Sequence, residues 1–331
     1  MMQLNRRSVL GGAAAASAAT ALTPLTLASA RAAAPPVGKQ NAGFYRYKVG
    51  NIEVTVATDG ANVFKFPDGF VANKSRDEVN AGWTAMFGEK DQMVIPYSPL
   101  AVNTGSKLVV IDTGTSEANF ERTKGRAGQF HSNLKAAGID AAQVDAVIIS
   151  HFHGDHINGL LTKDNKPAFA KAEILVPAPE WKYFMDDGEM SRAPKGRMEG
   201  VFKNLRRVFD ALGRKVTPYE ANKELAPGIT SVAAHGHTPG HMAFVIAQGN
   251  GKVFVQSDTT NNPLFVRNPG WHLMFDQDAK MAEATRRKIY DMLVAEKLMV
   301  QGFHYPFPAL AHIEKSGTGY REVMVPWNPA I

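Results

Sequence analysis

Cysteine is absent from the 331 residues, and that one absence removes disulfides, thiolate metal sites and a cysteine nucleophile together. Any metal is left to nitrogen and oxygen donors. Concentrated charge is missing as well. The formal net charge is +6, but Arg6, Arg7 and Arg31 lie in a segment expected to be removed, and no run of Lys and Arg interleaved with aromatics appears. A nucleic-acid partner is therefore not expected. The N-terminal apolar run is rich in Ala, Gly, Ser and Thr and contains Pro24, too poor in hydrophobicity for stable membrane insertion. No internal repeat is visible. What is there is a chain with 44% hydrophobic residues, long enough to bury a sizeable core.

Asn5-Arg6-Arg7-Ser8-Val9-Leu10 precedes that mildly apolar run, which ends in small residues around Ala28-Ser29-Ala30 and Ala30-Arg31-Ala32. This resembles a twin-arginine export signal. Residues 1–34 are read as signal and linker, residues 35–331 as a single domain, and the mature protein as periplasmic or secreted. Such export carries folded proteins, which suits a chain that acquires its cofactor in the cytoplasm.

Beyond Pro35-Pro36, residues 44–49 and 52–58 alternate as strands around a Gly50-Asn51 turn, predicting a hairpin. A Gly- and Pro-punctuated stretch follows to Pro99. Residues 108–111 and 144–150 are apolar, β-branched runs of the buried-strand kind, and residues 129–137 have helical spacing. The second half repeats the theme: strands near 173–176, 229–233, 242–247 and 252–256, and helices over 198–212 and 278–295. Mixed strands and helices in both halves suit an α/β arrangement of two packed sheets with helices outside, although pattern alone does not separate this from other α/β layouts.

The sharpest local feature is His151-Phe152-His153-Gly154-Asp155-His156, directly after a predicted buried strand. Alternate positions of an extended segment point the same way, so His151 and His153 can share one ion, while the turn at Gly154 redirects Asp155 and His156 toward a second. Three more residues extend the cluster. His241 closes His237-Thr238-Pro239-Gly240-His241 between strand-like segments, Asp258 ends a buried strand, and His304 follows another. Each alone is commonly a turn or cap residue, because its side chain bonds nearby backbone.

The order HFHGDH, HTPGH, a strand-end SD and GFHYPFP resembles the metallo-β-lactamase superfamily, with matching motifs from Asp59-Gly60 to His304. Within it, the aspartate at 258 and the FHYPFPALAHI segment look most like the methyl parathion hydrolase and lactonase-like branch. The resemblance implies an αββα four-layer sandwich and two divalent metal ions. It places His151, His153 and His241 on one ion and Asp155, His156 and His304 on the other, with Asp258 and a hydroxide bridging the pair. Two dications against two carboxylates and one hydroxide leave a charge of about +1, ready for an anionic transition state. Imidazoles favour zinc, while the carboxylates also admit manganese, iron, cobalt or cadmium. The implied reaction is attack of the bridging hydroxide on a neutral ester-like substrate: a lactone, an aryl ester or an organophosphate triester. Asp155 has a second possible role in passing a proton to the leaving group, held back by its own bond to metal.

Lesser candidates surround this set. Asp59 and Asp112, each before a Gly-containing turn, could fix a ligand imidazole through its far N–H. His237 is read as standing behind the ligands. Trp181 and Phe184 are candidates for an apolar pocket wall, against the competing view that their stripe packs onto the core. Alternative activities within the superfamily are β-lactam and thioester hydrolysis. Asp258 argues against the first, and the lack of a basic C-terminal patch for a glutathione carboxylate argues softly against a glutathione thioesterase. A non-catalytic metal-binding member is disfavoured because every ligand position is filled. The partner expected is a small molecule, and the resembling branch suggests a homodimer.

Overall fold

Residues 37, 38 and 40–331 are described by a computed structural model; the export segment expected over 1–34 lies outside them. The strands in chain order are β1 (Phe44–Val49), β2 (Ile52–Ala57), β3 (Gly60–Lys65), β4 (Gln92–Tyr97), β5 (Leu100–Asn103), β6 (Leu108–Ile111), β7 (Ala146–Ile148), β8 (Glu173–Pro177), β9 (Thr217–Tyr219), β10 (Glu224–Ala226), β11 (Ile229–Ala233), β12 (Met242–Gln248), β13 (Gly251–Ser257), β14 (Met299–Gly302), β15 (Leu310–Ser316) and β16 (Gly319–Met324). The helices are α1 (Arg76–Thr84), α2 (Ala118–Arg122), α3 (Phe130–Ala136), α4 (Gly154–Ile157), α5 (Ala178–Phe184), α6 (Asp187–Arg192), α7 (Arg197–Ala211), α8 (Pro263–Arg267) and α9 (Ala279–Glu296). None is long and apolar enough to cross a membrane.

Two seven-stranded sheets form, ordered β1-β2-β5-β6-β7-β8-β9 and β10-β11-β12-β13-β14-β15-β16. Period-2 patterning fixes how they pack. In β6 and β7, Val109, Ile111, Ala146 and Ile148 face inward with Val253 and Val255 of β13, joining the two sheets in one core. Their alternates Val110 and Val147 face outward and are covered by Phe130 and Leu134 of α3, Phe184 of α5 and Leu205 and Phe209 of α7. On the far side Phe254 and Val300 meet Ile289, Tyr290 and Leu293 of α9. The layers therefore run helix, sheet, sheet, helix, the expected αββα sandwich.

Local chemistry sets the element ends. The expected hairpin forms with Val49 opposite Ile52. The Asp278 side chain caps α9 by accepting from the Met281 N–H, and Lys297 in the left-handed conformation (φ 51°) ends it. Ser75 and Glu78 make a reciprocal capping box on α1. That helix, with the β3–β4 ribbon, occupies the stretch whose Gly and Pro content showed no element in the sequence. Pro96 sits within β4 because β4 pairs on one side only, leaving its missing N–H harmless.

The parallel ladder β6-β7-β8-β9 and the parallel pair β13-β14 bring several strand C-termini to one rim. Asp112 and Ser257 there adopt left-handed φ of 57° and 47°, strained for residues with a Cβ, at the ends of β6 and β13. The turn after α4 is seated by Gly159, where a Cβ would lie 1.9 Å from the Thr113 carbonyl oxygen. Gly159→Ala is accordingly expected to cost about 1–3 kcal/mol by forced overpacking. Urea denaturation measures it, and a variant as stable as the parent would show that this approach does not hold α4.

Candidate metal centre

The rim collects His151 and His153 from the loop after β7, Asp155 and His156 from α4, His237 from the β11–β12 loop, Asp258 after β13 and His304 after β14. Two groups of potential ligand atoms result, one of His151, His153, His237 and Asp258, the other of Asp155, His156 and His304. In the first, His153 Nδ1 lies 3.0 Å from His151 Nε2 and 2.9 Å from His237 Nε2, and His237 Nε2 lies 3.2 Å from Asp258 Oδ2. In the second, Asp155 Oδ2 is 3.7 Å from His156 Nε2 and 3.5 Å from His304 Nε2. Asp258 reaches into this group too: Oδ2 is 3.1 Å from His304 Nε2 and Oδ1 is 3.3 Å from His156 Nε2. Tetrahedral ligands about 2.05 Å from an ion are about 3.3 Å apart, so both spacings suit a small divalent cation.

Protonation supports the fit. The far nitrogens of three rings face oxygen acceptors at 2.8 Å: His156 Nδ1 to Asp112, His237 Nδ1 to Asp276 and His304 Nδ1 to the Pro96 carbonyl. Donating an N–H outward leaves each inward Nε2 as a lone pair. Burial and then the neighbouring His156 hold His151 well below the ordinary histidine range, and burial and then His237 do the same for His153. His156 and His237 differ: against burial, Asp112 and then Asp258 hold His156 well above the ordinary histidine range, and Asp258 and then Asp276 raise His237 to about 9, so a cation entering the cluster displaces a proton from each. His156 Nε2 and Asp258 Oδ1 are buried without any hydrogen-bond partner, a cost that a cation would relieve.

The geometry corrects three expectations. His241, expected as a ligand, stands beside the cluster but outside its two groups of ligand atoms: its ring centroid is 5.0 Å from that of His151, its Nδ1–H donates to the Ala234 carbonyl at 2.8 Å and its Nε2 accepts the Asp258 N–H at 3.0 Å. Burial, then nearby His237, pushes its pKa to about 3, so the ring is neutral. His241 directly precedes β12, whereas His237 follows Gly236 (φ 124°) and reaches the ligand atoms. Sequence reasoning exchanged the two because their spacing alone does not say which faces the cage. Asp59 touches no ligand imidazole; its carboxylate accepts from Thr115 N and Oγ1, Gly128 N and Phe130 N, joining three loop segments. Asp112 does reach one, His156, while also accepting from Ser150 N and Oγ. Phe184 is fully buried, and Trp181 packs edge-on against Phe209 with ring centroids 5.2 Å apart, so both belong to the helix–sheet core rather than to a pocket wall.

The actual wall lies elsewhere. A cavity of about 730 Å³ opens over His153, Asp155, His237, Asp258 and His304, with Phe64, Ile95 and Tyr97 of the β3–β4 ribbon, Leu161, Val201 and Phe275 as its apolar lining. Tyr97 has its ring centroid 5.6 Å from that of His304, and burial raises its phenol, which stays protonated as a donor.

Two supports carried no sequence signal. Asp276 bridges His237 to the buried Arg286, whose Nη2 lies 3.1 Å from Asp276 Oδ2. Glu180, on α5 and fully buried, accepts the Phe152 N–H at 3.1 Å through Oε1 and the Gly240 N–H at 2.7 Å through Oε2. It thereby clamps the two histidine loops to each other. Burial raises its pKa to about 7, against the pull of the two backbone donors.

A model of the "Metallo-beta-lactamase superfamily" matches residues 97–295, more than half of the chain. The chain belongs to the metallo-β-lactamase superfamily. Among solved structures, the superfamily chain resembles AidC, "a Dizinc Quorum-Quenching Lactonase", with TM-score 0.79 and 25% identity over 86% of this chain and 98% of that one. It also resembles hydrolase AbOPH of the "beta lactamase superfamily", with TM-score 0.79 and 22% identity over 88% and 100% of the two chains, a likeness of fold. Among curated proteins, it is 24% identical to an N-acyl homoserine lactonase of Bacillus sp over 168 residues, 50% of this chain and 58% of that protein. It is 29% identical to the anti-Pycsar protein Apyc1 of Paenibacillus sp. (strain J14) over 139 residues, 39% of this chain and 52% of that protein. The match thus spans about half the length of these two curated relatives.

Replacing Glu180 by Ala strands two buried N–H donors, each worth about 1–3 kcal/mol. The variant should lose about 3–5 kcal/mol on urea denaturation of metal-free protein; a loss below about 1 kcal/mol would remove Glu180 as the tie between the loops.

Proposed function

We propose that the protein is a dinuclear metal-dependent hydrolase of ester-like bonds, taking a lactone, an aryl ester or an organophosphate triester. The observation that carries the reading is Asp258, whose two oxygens reach both ligand groups and which can therefore be shared between two ions. In this reading His151, His153 and His237 hold one ion, Asp155, His156 and His304 hold the other, and Asp258 belongs to both. Zinc suits a donor set rich in imidazole and free of thiolate. The dizinc lactonase neighbour and the lactonase relative support both the metal and the substrate class.

When bound, a pair of divalent cations supplies Lewis acidity and a nucleophile at neutral pH. The chain's own residues do the rest. Asp112 and Asp276 fix the imidazoles of His156 and His237, and His241 fixes the backbone at Asp258. The apolar lining of Phe64, Ile95 and Phe275 holds the substrate body and excludes water from the reacting bond. Asp155, with a quarter of its side chain exposed to the cavity, is placed to pass a proton to the leaving oxygen. Tyr97, a protonated donor on the same wall, is placed to stabilise charge developing on the attacked group.

Elemental analysis of the purified protein should give two ions per chain, and chelation should abolish turnover of an aryl ester and a lactone. Asp258→Ala should lose nearly all of that activity. His237→Ala should lose bound metal, whereas His241→Ala, which keeps every proposed ligand, should weaken metal affinity by only about 10–100-fold. A single ion per chain, or a fully active Asp258→Ala protein, would overturn the dinuclear reading. A panel adding a β-lactam, a thioester and a phosphotriester identifies the preferred bond.

A further inference from the structure

Among the described residues, every arginine except Arg122, Arg126, Arg197 and Arg207 has a carboxylate partner. Three of those four exceptions, with Lys163, line the cavity over the metal-ligand groups. They come from separate parts of the chain: Arg122 from α2, Lys163 from the loop after α4, and Arg197 and Arg207 from α7. The only acids lining the same cavity are Asp155 and Asp258, which the proposed metals would neutralise.

These guanidinium groups are also held in place, and by neutral acceptors. Arg122 Nε donates to Asn119 Oδ1 at 2.7 Å, and Arg207 donates to Asn165 Oδ1 at 2.7 Å and to Asn204 Oδ1 at 3.1 Å. Arg197 Nη2 donates to the Met274 carbonyl at 3.0 Å, and its guanidinium carbon stands 5.5 Å from the Phe275 ring centroid. An amide or carbonyl oxygen orients a guanidinium while leaving its charge uncompensated. Outside the cavity, every described arginine except Arg126, whose Nε donates to the Thr123 carbonyl, is paired with a carboxylate, which offsets its charge. A cavity for a wholly uncharged ligand has no use for four unpaired cations, because like charges lining one cavity repel.

We propose that the cavity binds amphipathic anions: its substrate carries, on an apolar chain remote from the bond that is cleaved, a carboxylate, sulfate or phosphate group that pairs with Arg197, Arg207, Arg122 and Lys163. The apolar lining from Phe64 to Phe275 takes the chain and the cations of the same cavity take the charged end. Arginine suits this end because its planar fork matches an oxyanion in a bidentate fashion. The inference rests on the hydrolase reading for the word substrate, but the anion site stands on the arginines alone.

Two aryl esters with the same leaving group separate the possibilities, one with an acyl chain ending in a methyl group, the other ending in a carboxylate. With metal-loaded protein at low salt, kcat/KM for the carboxylate ester should exceed that for the neutral one by about tenfold or more. The ratio should fall toward one in about 1 M salt, where the screening length is only about 3 Å. It should also fall in Arg197→Gln/Arg207→Gln and recover in large part in Arg197→Lys/Arg207→Lys. Calorimetric titration with octanesulfonate, a weak ligand for divalent cations, gives a readout independent of turnover; the Gln variant should bind it about tenfold or more weakly. If neither ester is cleaved but octanesulfonate binding still depends on the arginines, the hydrolase reading fails and the anion site stands. If the esters are cleaved without charge preference and octanesulfonate binding ignores the arginines, the anion site is overturned and the hydrolase reading stands.

Discussion

Seven polar side chains, five of them buried and His153 and Asp155 half-buried, meet at one rim with their ligand atoms aimed at one another, and the surrounding fold holds them there. Five imidazoles and two carboxylates crowd their ligand atoms together, and His156 Nε2 and Asp258 Oδ1 are left without a hydrogen-bond partner. Such an arrangement opposes folding unless cations occupy its centre. The surrounding fold overcomes that opposition by rigidity. Strand ends deliver four of the segments, Asp112 and Asp276 lock two rings from behind, and Glu180 ties the loop of His151 and His153 to the loop of His237.

How much of this was legible in the sequence follows from distance along the chain. The HFHGDH cluster is local, so its spacing after a β-branched run reveals both the strand and the ligands it carries. The sandwich was readable for the same reason, because period-2 alternation in β6, β7 and β13 records two covered faces. Orientation within a loop is not recorded locally. His237 and His241 are equivalent in pattern, and nothing in it says which ring reaches the ligand atoms. Glu180 and Asp276 have no pattern at all, since each acts on a partner far away in the chain. Trp181 and Phe184 were misplaced because an amphipathic helix shows that it has a buried face but not what lies under it. The β3–β4 ribbon escaped notice because Pro96 and the Pro67, Gly69, Gly82 and Gly88 between its two strands look like loop, and the cations lining the cavity escaped because no two of them are neighbours in sequence.

The division of labour between cage and wall also matters. The ligand residues sit on loops and a short helix at the ends of strands in the two main sheets, whereas Phe64, Ile95 and Tyr97 belong to a two-stranded ribbon outside both. The cations stand on helices and a loop, again apart from the cage. Changes to α2 and α7, or to ribbon side chains that leave the Pro96 carbonyl on His304 in place, can therefore alter what enters the cavity with little effect on the ligand cluster.

The placement of His304 has a consequence for how the protein comes into being. The cluster opens at His151, in the middle of the chain, but is complete only once β14 has docked beside β13 and carried His304 to the rim. No fragment ending before that strand can offer the second ion its full set of donors. Full cation affinity is therefore a property of the nearly finished chain, and ions held there as proposed would join both sheets at a single point and lock the two halves together in the last stage of assembly rather than guide the first.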